Sequence, residues 1–199
     1  MMTKLEALQI LAAARTDEVV VTCMGAAVPW GERSNHALDF ASVGSAMGHA
    51  ADFALGLALA QPHRKVLCLN GDGSLLMSLG ILVTMVQNPA PNFLLFILAN
   101  GTYEVTGNQP VPGAGRLDYS TLARGCGLWQ VHEFDRPETF EAALPVLLQA
   151  EGPTVITLHV APENSGPPSR GPHNPPYLQR SLAEDAHALR QRLLRGIDS

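Results

Sequence analysis

Two short runs rich in Val, Leu, Ile and Phe, Lys65 to Leu69 and Asn92 to Ala99, bracket Gly71-Asp72-Gly73-Ser74 and an almost wholly apolar stretch from Leu75 to Asn88. Strand, turn, helix and strand in that order make a βαβ unit, and parallel strands joined in this way are buried on both faces. The alternation continues on either side. Val19 to Thr22 reads as a short β-branched strand, Gly25 to Asn35 as a loop, and Met47 to Ala60 as a buried helix, apolar nearly all round and stopped by Gln61-Pro62. A Gly- and Pro-rich loop, Asn100 to Gly115, leads to a helix near Tyr119 to Cys126, a strand Trp129 to Phe134, a helix Pro137 to Ala150 and a strand Pro153 to Val160. The expected fold is a three-layer α/β/α domain with a mostly parallel central sheet, and ligands are expected at the carboxyl ends of its strands.

The flanking segments are read in the same way. Residues 3 to 15 suggest an amphipathic helix with Leu5, Leu8, Leu11 and Ala12 toward one side, and their interspersed charges argue against a signal peptide. Pro162 to Tyr177 holds six of the fifteen prolines and reads as a lid or tether, with a final amphipathic helix over 178–195. At 199 residues the chain is expected to form one domain, 1–199. Thirteen Lys and Arg against eighteen Asp and Glu, spread along the chain, argue against nucleic acid or membrane surfaces as partners. Cys23, Cys68 and Cys126 show no CxxC and no His cluster, which argues against disulfides, zinc and iron–sulfur sites, and no apolar run reaches the ~20 residues of a spanning helix. A cytoplasmic location is expected. Hydrophobic residues at 46% and charged residues at 16% suit a deeply buried sheet or a large contact surface.

The glycines of Asn70-Gly71-Asp72-Gly73-Ser74 permit tight turning, and the helix that follows offers unpaired N–H groups to an anionic phosphate. Asp72 adds a hard oxygen ligand of the kind Mg²⁺ takes beside phosphates. Alone, the motif equally describes a strand-to-helix turn capped by Asp or Ser. Asn100 follows twenty-eight residues after Asp72, directly behind the next strand, which is the span of one helix and one strand. Asp72 and Asn100 should therefore stand side by side at the carboxyl ends of adjacent parallel strands. With the Thr102 carbonyl they would make three oxygen ligands for one Mg²⁺.

Gly71-Asp72-Gly73-Ser74 followed by Asn100-Gly101-Thr102-Tyr103 resembles the thiamine diphosphate motif of the 2-oxo acid decarboxylase and acetolactate synthase superfamily, in its diphosphate-binding domain. Ala99 stands where that family usually has the first of two asparagines, and the second, Asn100 here, is the one that binds metal. Val43-Gly44-Ser45-Ala46-Met47-Gly48-His49-Ala50, with Ala54-Leu55-Gly56, resembles the family segment that supports the cofactor's pyrimidine ring. The resemblance implies thiamine diphosphate and Mg²⁺ as cofactors, with Asp72, Asn100 and Thr102 on the metal and Gly71, Gly73, Ser74 and Gly25 against the diphosphate. It implies that Met47 bends the cofactor into its V shape, that the Ser45 carbonyl receives the 4′-amino group, and that Tyr103 and Glu104 adjoin the cofactor. Read from the residues alone, Met47 is equally a core methionine. The segment Ser45 to Ala50 together with Tyr103 to Pro110 most resembles phosphonopyruvate and sulfopyruvate decarboxylases.

In that family a glutamate from a separate pyrimidine-binding domain activates the cofactor. Eighteen residues precede Val19, and none of Glu6, Glu18 or Glu32 lies in a context resembling that glutamate's. The resemblance therefore implies the β subunit of a split 2-oxo acid decarboxylase that releases CO₂ and an aldehyde. A separate α subunit would bind the pyrimidine, with at least two copies of each chain. A carboligase or lyase subunit of the same superfamily, or a non-catalytic cofactor-binding subunit, is the alternative. His49 either hydrogen-bonds in the core or faces substrate. Arg170 and His173 either close over an anionic sulfonate or phosphonate or lie in a solvated loop.

Overall fold

The structure is a computed structural model that describes residues 1–164 and 166–195. Helix α1 (Lys4–Ala14) leads to β1 (Val19–Thr22), α2 (Met24–Gly31), β2 (Asp39–Ala41), α3 (Ala50–Ala60) and β3 (Val66–Gly71). Two short helices, α4 (Asp72–Met77) and α5 (Ile81–Gln87), cross to β4 (Phe93–Ala99), and a small ribbon follows, β5 (Thr102–Tyr103) with β6 (Gln109–Pro110). The chain ends with α6 (Tyr119–Gly125), β7 (Val131–Phe134), α7 (Pro137–Gln149), β8 (Thr154–His159) and α8 (Leu182–Arg195). Six strands form one parallel sheet in the order β2-β1-β3-β4-β8-β7. Its central strands are buried along almost their whole length, because helices cover both faces: α1 packs with α2 and α7, and α3 packs with α5.

Several elements differ from their sequence reading. The expected loop at Gly25 to Asn35 is largely helix α2, even though Pro29 lies inside it, since Ala26, Ala27 and Trp30 are buried there and tertiary burial overrides local propensity. Strand β2 was not expected, and three residues are too few to register as a pattern. The helix expected from Met47 starts only at Ala50, because Gly48 has φ +85° and sits in a turn, and Phe53 and Leu59 face outward from it. The single helix expected over Leu75 to Asn88 is broken at residues 78–80, and the expected Gly-Asp-Gly-Ser turn is instead the end of β3 running straight into α4. In α1 the polarity is inverted at one turn: Leu5 is exposed and Lys4 is buried. The last helix begins at Leu182, where Ser181 and Glu184 form a reciprocal cap, while Leu178 belongs to a preceding 3₁₀ turn.

The proline-rich segment is tied down. The Arg170 guanidinium donates to the carbonyls of Ala41 (2.7 Å), Val43 (2.9 Å), Tyr177 (3.1 Å) and Arg180 (2.9 Å), so its donors are spent on backbone and not on a substrate anion. His173 is exposed. Tyr177 is buried, with its hydroxyl donating to the Ala27 carbonyl and 3.2 Å from Thr22 Oγ1. Tyr177→Phe removes these hydroxyl contacts and should lower the urea-unfolding free energy by about 0.5–1.5 kcal/mol, whereas an unchanged midpoint would mean the segment is not anchored there. No helix among the described residues is long and apolar enough to cross a membrane.

Candidate functional site

The chain leaves β1 toward β2 but leaves β3 toward β4, in opposite directions across the sheet, so the carboxyl ends of β1 and β3 flank a crevice. Cys23, Met24 and Gly25 line it after β1, Ser42 after β2, and Ala46, Met47, Gly48 and Ala50 at the start of α3. Residues 71–74 and Met77 form another side, and Asn100 with residues 102–105 close it. Three helices, α2, α3 and α4, open onto this cleft, and none of their N-caps, Cys23, His49 and Gly71, makes a side-chain capping bond. Such ends carry a partial positive charge from backbone N–H groups that have no partner within the helix. Among the described residues no Lys, Arg or His lines the cleft, so its attraction for an anion comes from backbone.

Strands β3 and β4 pair with Gly71 opposite Leu98, which brings Asp72 against the segment beginning at Asn100. Asp72 is 2% exposed; its Oδ1 accepts the Gly73 N–H at 2.8 Å and its Oδ2 the Gly101 N–H at 2.7 Å. Burial pushes the Asp72 carboxyl above its ordinary value, and the Gly101 and Gly73 N–H groups partly offset this. Asn100 Oδ1 accepts the Thr102 N–H at 2.9 Å, which folds that amide back over the loop. A Cβ on Gly73 would fall 2.5 Å from Tyr103 Cε1, so only glycine lets that ring lie against the start of α4. One residue before the cleft, both amide atoms of Asn70 are fully buried without a partner, a cost that a core shaped for stability alone would not carry.

Of the residues singled out from sequence, Gly25, Met47, Gly71, Asp72, Gly73, Ser74, Asn100, Thr102, Tyr103 and Glu104 all line this one cleft. Ser45 does not, although its neighbour Ala46 does; its hydroxyl lies 2.6 Å from Ser42 Oγ. Met47 is 58% exposed and stands at the lip, not in the core. His49 is also exposed and pairs with Asp52 (3.0 Å), so it is not a core histidine. The Glu104 carboxylate points away from cofactor duty: it accepts from Lys4 Nζ at 2.5 Å and from the Glu163 N–H at 2.7 Å, leaving its backbone to face the cleft. Cys23, Met24, Ser42 and Met77 escaped the sequence reading. The first two could have been found from their position immediately after β1.

Fold and cleft together define a parallel α/β domain that holds an anionic ligand at the switch point of its sheet. Residues 20–158 match the family model described as thiamine pyrophosphate enzyme, C-terminal TPP binding domain, and the chain belongs to that family. It is 36% identical over 141 residues to a phosphonopyruvate decarboxylase of Streptomyces hygroscopicus, a match that covers 71% of this chain but only 35% of that protein. It is 32% identical over 171 residues to the sulfopyruvate decarboxylase subunit beta of Methanococcus maripaludis, covering 84% of this chain and 89% of that subunit. Among solved structures, a Mycobacterium smegmatis chain described as thiamin diphosphate-dependent superposes with a TM-score of 0.68 at 27% identity, over 81% of this chain and 32% of that one.

The cleft fits the cofactor of this family. Helix ends without a side-chain cap would suit a diphosphate, and nothing lies within 4 Å of where a Cβ on Gly25 would stand, so the backbone there is open to close approach. Asp72 would repel a diphosphate placed against it. A divalent cation between the two, taking carboxylate, amide and carbonyl oxygens, removes the conflict.

Proposed function

We propose that this chain is the thiamine diphosphate- and Mg²⁺-binding subunit of a split 2-oxo acid decarboxylase, acting on a sulfopyruvate- or phosphonopyruvate-like substrate to release CO₂ and an aldehyde. The observation that carries the reading is the meeting, in one cleft, of three helix N-termini whose N-cap residues make no side-chain cap bond with the buried carboxylate of Asp72. In this reading Asp72, Asn100 Oδ1 and the Thr102 carbonyl hold Mg²⁺, and Gly25, Gly71, Gly73 and Ser74 lie against the diphosphate. Met47 supports the bend of the cofactor from the lip, and the Ser45 carbonyl takes the 4′-amino group. Bound thiamine diphosphate supplies the nucleophilic carbon and the electron sink for decarboxylation. The chain's own work is to anchor the charged end and orient the rings.

A partner chain completes the reading. Among the described residues Glu104 is the one glutamate lining the cleft, and its carboxylate is committed to Lys4 and the Glu163 N–H, which supports an activating carboxylate supplied by a partner. Met47 and Met77, which line the cleft, and Phe53, Leu59 and Val83 of α3 and α5 are exposed apolar side chains, as a chain that meets a partner over the cofactor would present. The β-subunit relative, nearly all of whose length is matched, supports the same division of labour.

The test is CO₂ release from sulfopyruvate, phosphonopyruvate, pyruvate and benzoylformate with Mg²⁺ and thiamine diphosphate, by the chain alone and co-expressed with a candidate pyrimidine-binding chain. Turnover in the mixture should exceed that of the chain alone by about 100-fold or more, the usual worth of a positioned acid or base. Equal turnover without a partner would overturn the split-enzyme reading. Product formed only when an aldehyde acceptor is added would assign a carboligase instead.

A further inference from the structure

We propose that the buried Lys4–Glu104 ion pair is a positioning device for the cofactor loop, through which the N-terminal helix sets how tightly the cleft holds its ligand. Lys4 lies in the first turn of α1 and is 2% exposed, yet it is bonded to a residue one hundred positions away. Its ammonium sits 2.5 Å from Glu104 Oε2 and 3.4 Å from Glu163 Oε2. Glu104 Oε1 accepts the Glu163 N–H at 2.7 Å, and Asn108 Nδ2 donates to the Glu163 carbonyl at 3.0 Å. Asn108, held at φ +60°, in turn accepts from Thr102 Oγ1 at 3.0 Å. These bonds form a chain, Lys4 to Glu104 to Glu163 to Asn108 to Thr102, that spans the residues whose backbone faces the cleft.

Lys4 and Glu163 are each held by the backbone beside them. Thr3 and Glu6 form a capping box at the start of α1, and the Met2 carbonyl accepts the Ala161 N–H at 2.9 Å, two residues before Glu163. A buried ion pair seldom stabilises more than well-packed apolar residues of the same volume. What it adds is register: a charge that must be met at one place fixes where Glu104 stands, and with it the Thr102 carbonyl two residues earlier. A shift of that carbonyl by a fraction of a bond length is enough to loosen a ligand that demands near-ideal oxygen geometry.

This inference rests on the cofactor reading above, and the test separates the two. Lys4→Met, Lys4→Arg, Glu104→Gln and the Lys4→Met/Glu104→Gln pair would be made in the full chain, reconstituted with its partner where turnover needs one. Amide hydrogen exchange across residues 101–110 would be followed without ligand, and the affinity for Mg²⁺ with thiamine diphosphate by calorimetry. Lys4→Met should speed exchange in 101–110 selectively and weaken binding by about 10-fold or more, as removing an outer-shell partner does. Lys4→Arg should restore most of both. Slower melting loss alone, with exchange raised evenly over the whole chain and binding within about twofold of the parent, would reduce the pair to general stability and overturn the proposal. If Lys4→Met does not fold, the double variant, which leaves no buried charge unpaired, is judged by the same two readouts. A parent chain that binds no cofactor sinks the cofactor reading, and the exchange measurement then decides the ion pair by itself.

Discussion

Asp72→Asn is expected to lower the affinity for Mg²⁺ with thiamine diphosphate by about 100-fold or more, beyond the 10–100-fold typical of losing an outer-shell partner. The substitution preserves size and removes the charge on which the proposed cation depends. It also has a structural cost, because the two carboxylate oxygens accept from different backbone groups, Gly73 and Gly101, and an amide has only one acceptor to offer. One N–H is then left without a partner, at about 1–3 kcal/mol. The two effects are separable. Urea unfolding of the ligand-free chain reads the lost hydrogen bond, and titration of folded protein reads the lost metal ligand. Affinity within about threefold of the parent, a difference under 1 kcal/mol, would remove Asp72 from the metal.

Gly48→Ala is expected to destabilise the chain by about 2–4 kcal/mol, summing the cost of a left-handed non-glycine residue and of overpacking. Gly48 has φ +85°, and an added Cβ would fall 2.6 Å from Met77 Cβ, which belongs to a helix and cannot swing aside. Its carbonyl is also held by the Ser78 hydroxyl at 2.5 Å, so the turn cannot relax without breaking that bond. Gly56→Ala is the control. That glycine sits in α3 with no atom within 4 Å of the new Cβ, and the exchange should be neutral or stabilising by up to about 1 kcal/mol. Equal unfolding free energies for the two variants would mean that the turn between Gly44 and Ala50 is not as described.

What could be seen in the sequence was whatever announces itself over one or two elements. The β3 to β4 unit was legible because two uninterrupted apolar runs and a glycine pair punctuate it, and the spacing from Asp72 to Asn100 leaves room for little but one helix and one strand. Helix α2 was hidden by Pro29 and by glycines at both ends, whose local preference is overruled by the burial of Trp30. The break between α4 and α5 was hidden because Ser78, Leu79 and Gly80 do not interrupt apolar composition enough to register. Lys4 is the clearest loss. Periodicity places Leu5 inward and Lys4 outward, and the structure reverses them because the partner of Lys4 lies a hundred residues downstream, where no local pattern reaches. The same distance hides the ion pair of Glu104, whose backbone still lines the cleft.

A cleft whose lining has helix ends and a carboxylate but no basic side chain has a consequence for how it fills. In the proposed reading, Mg²⁺ alone meets one carboxylate and the repulsion of three positive helix ends, while diphosphate alone meets those ends and the repulsion of Asp72. Neither ligand is well served without the other. Their binding is then heterotropically cooperative, and by linkage each must raise the other's affinity by the same factor. Occupancy behaves as a logical AND of two concentrations, so depletion of either ion pool empties the cleft.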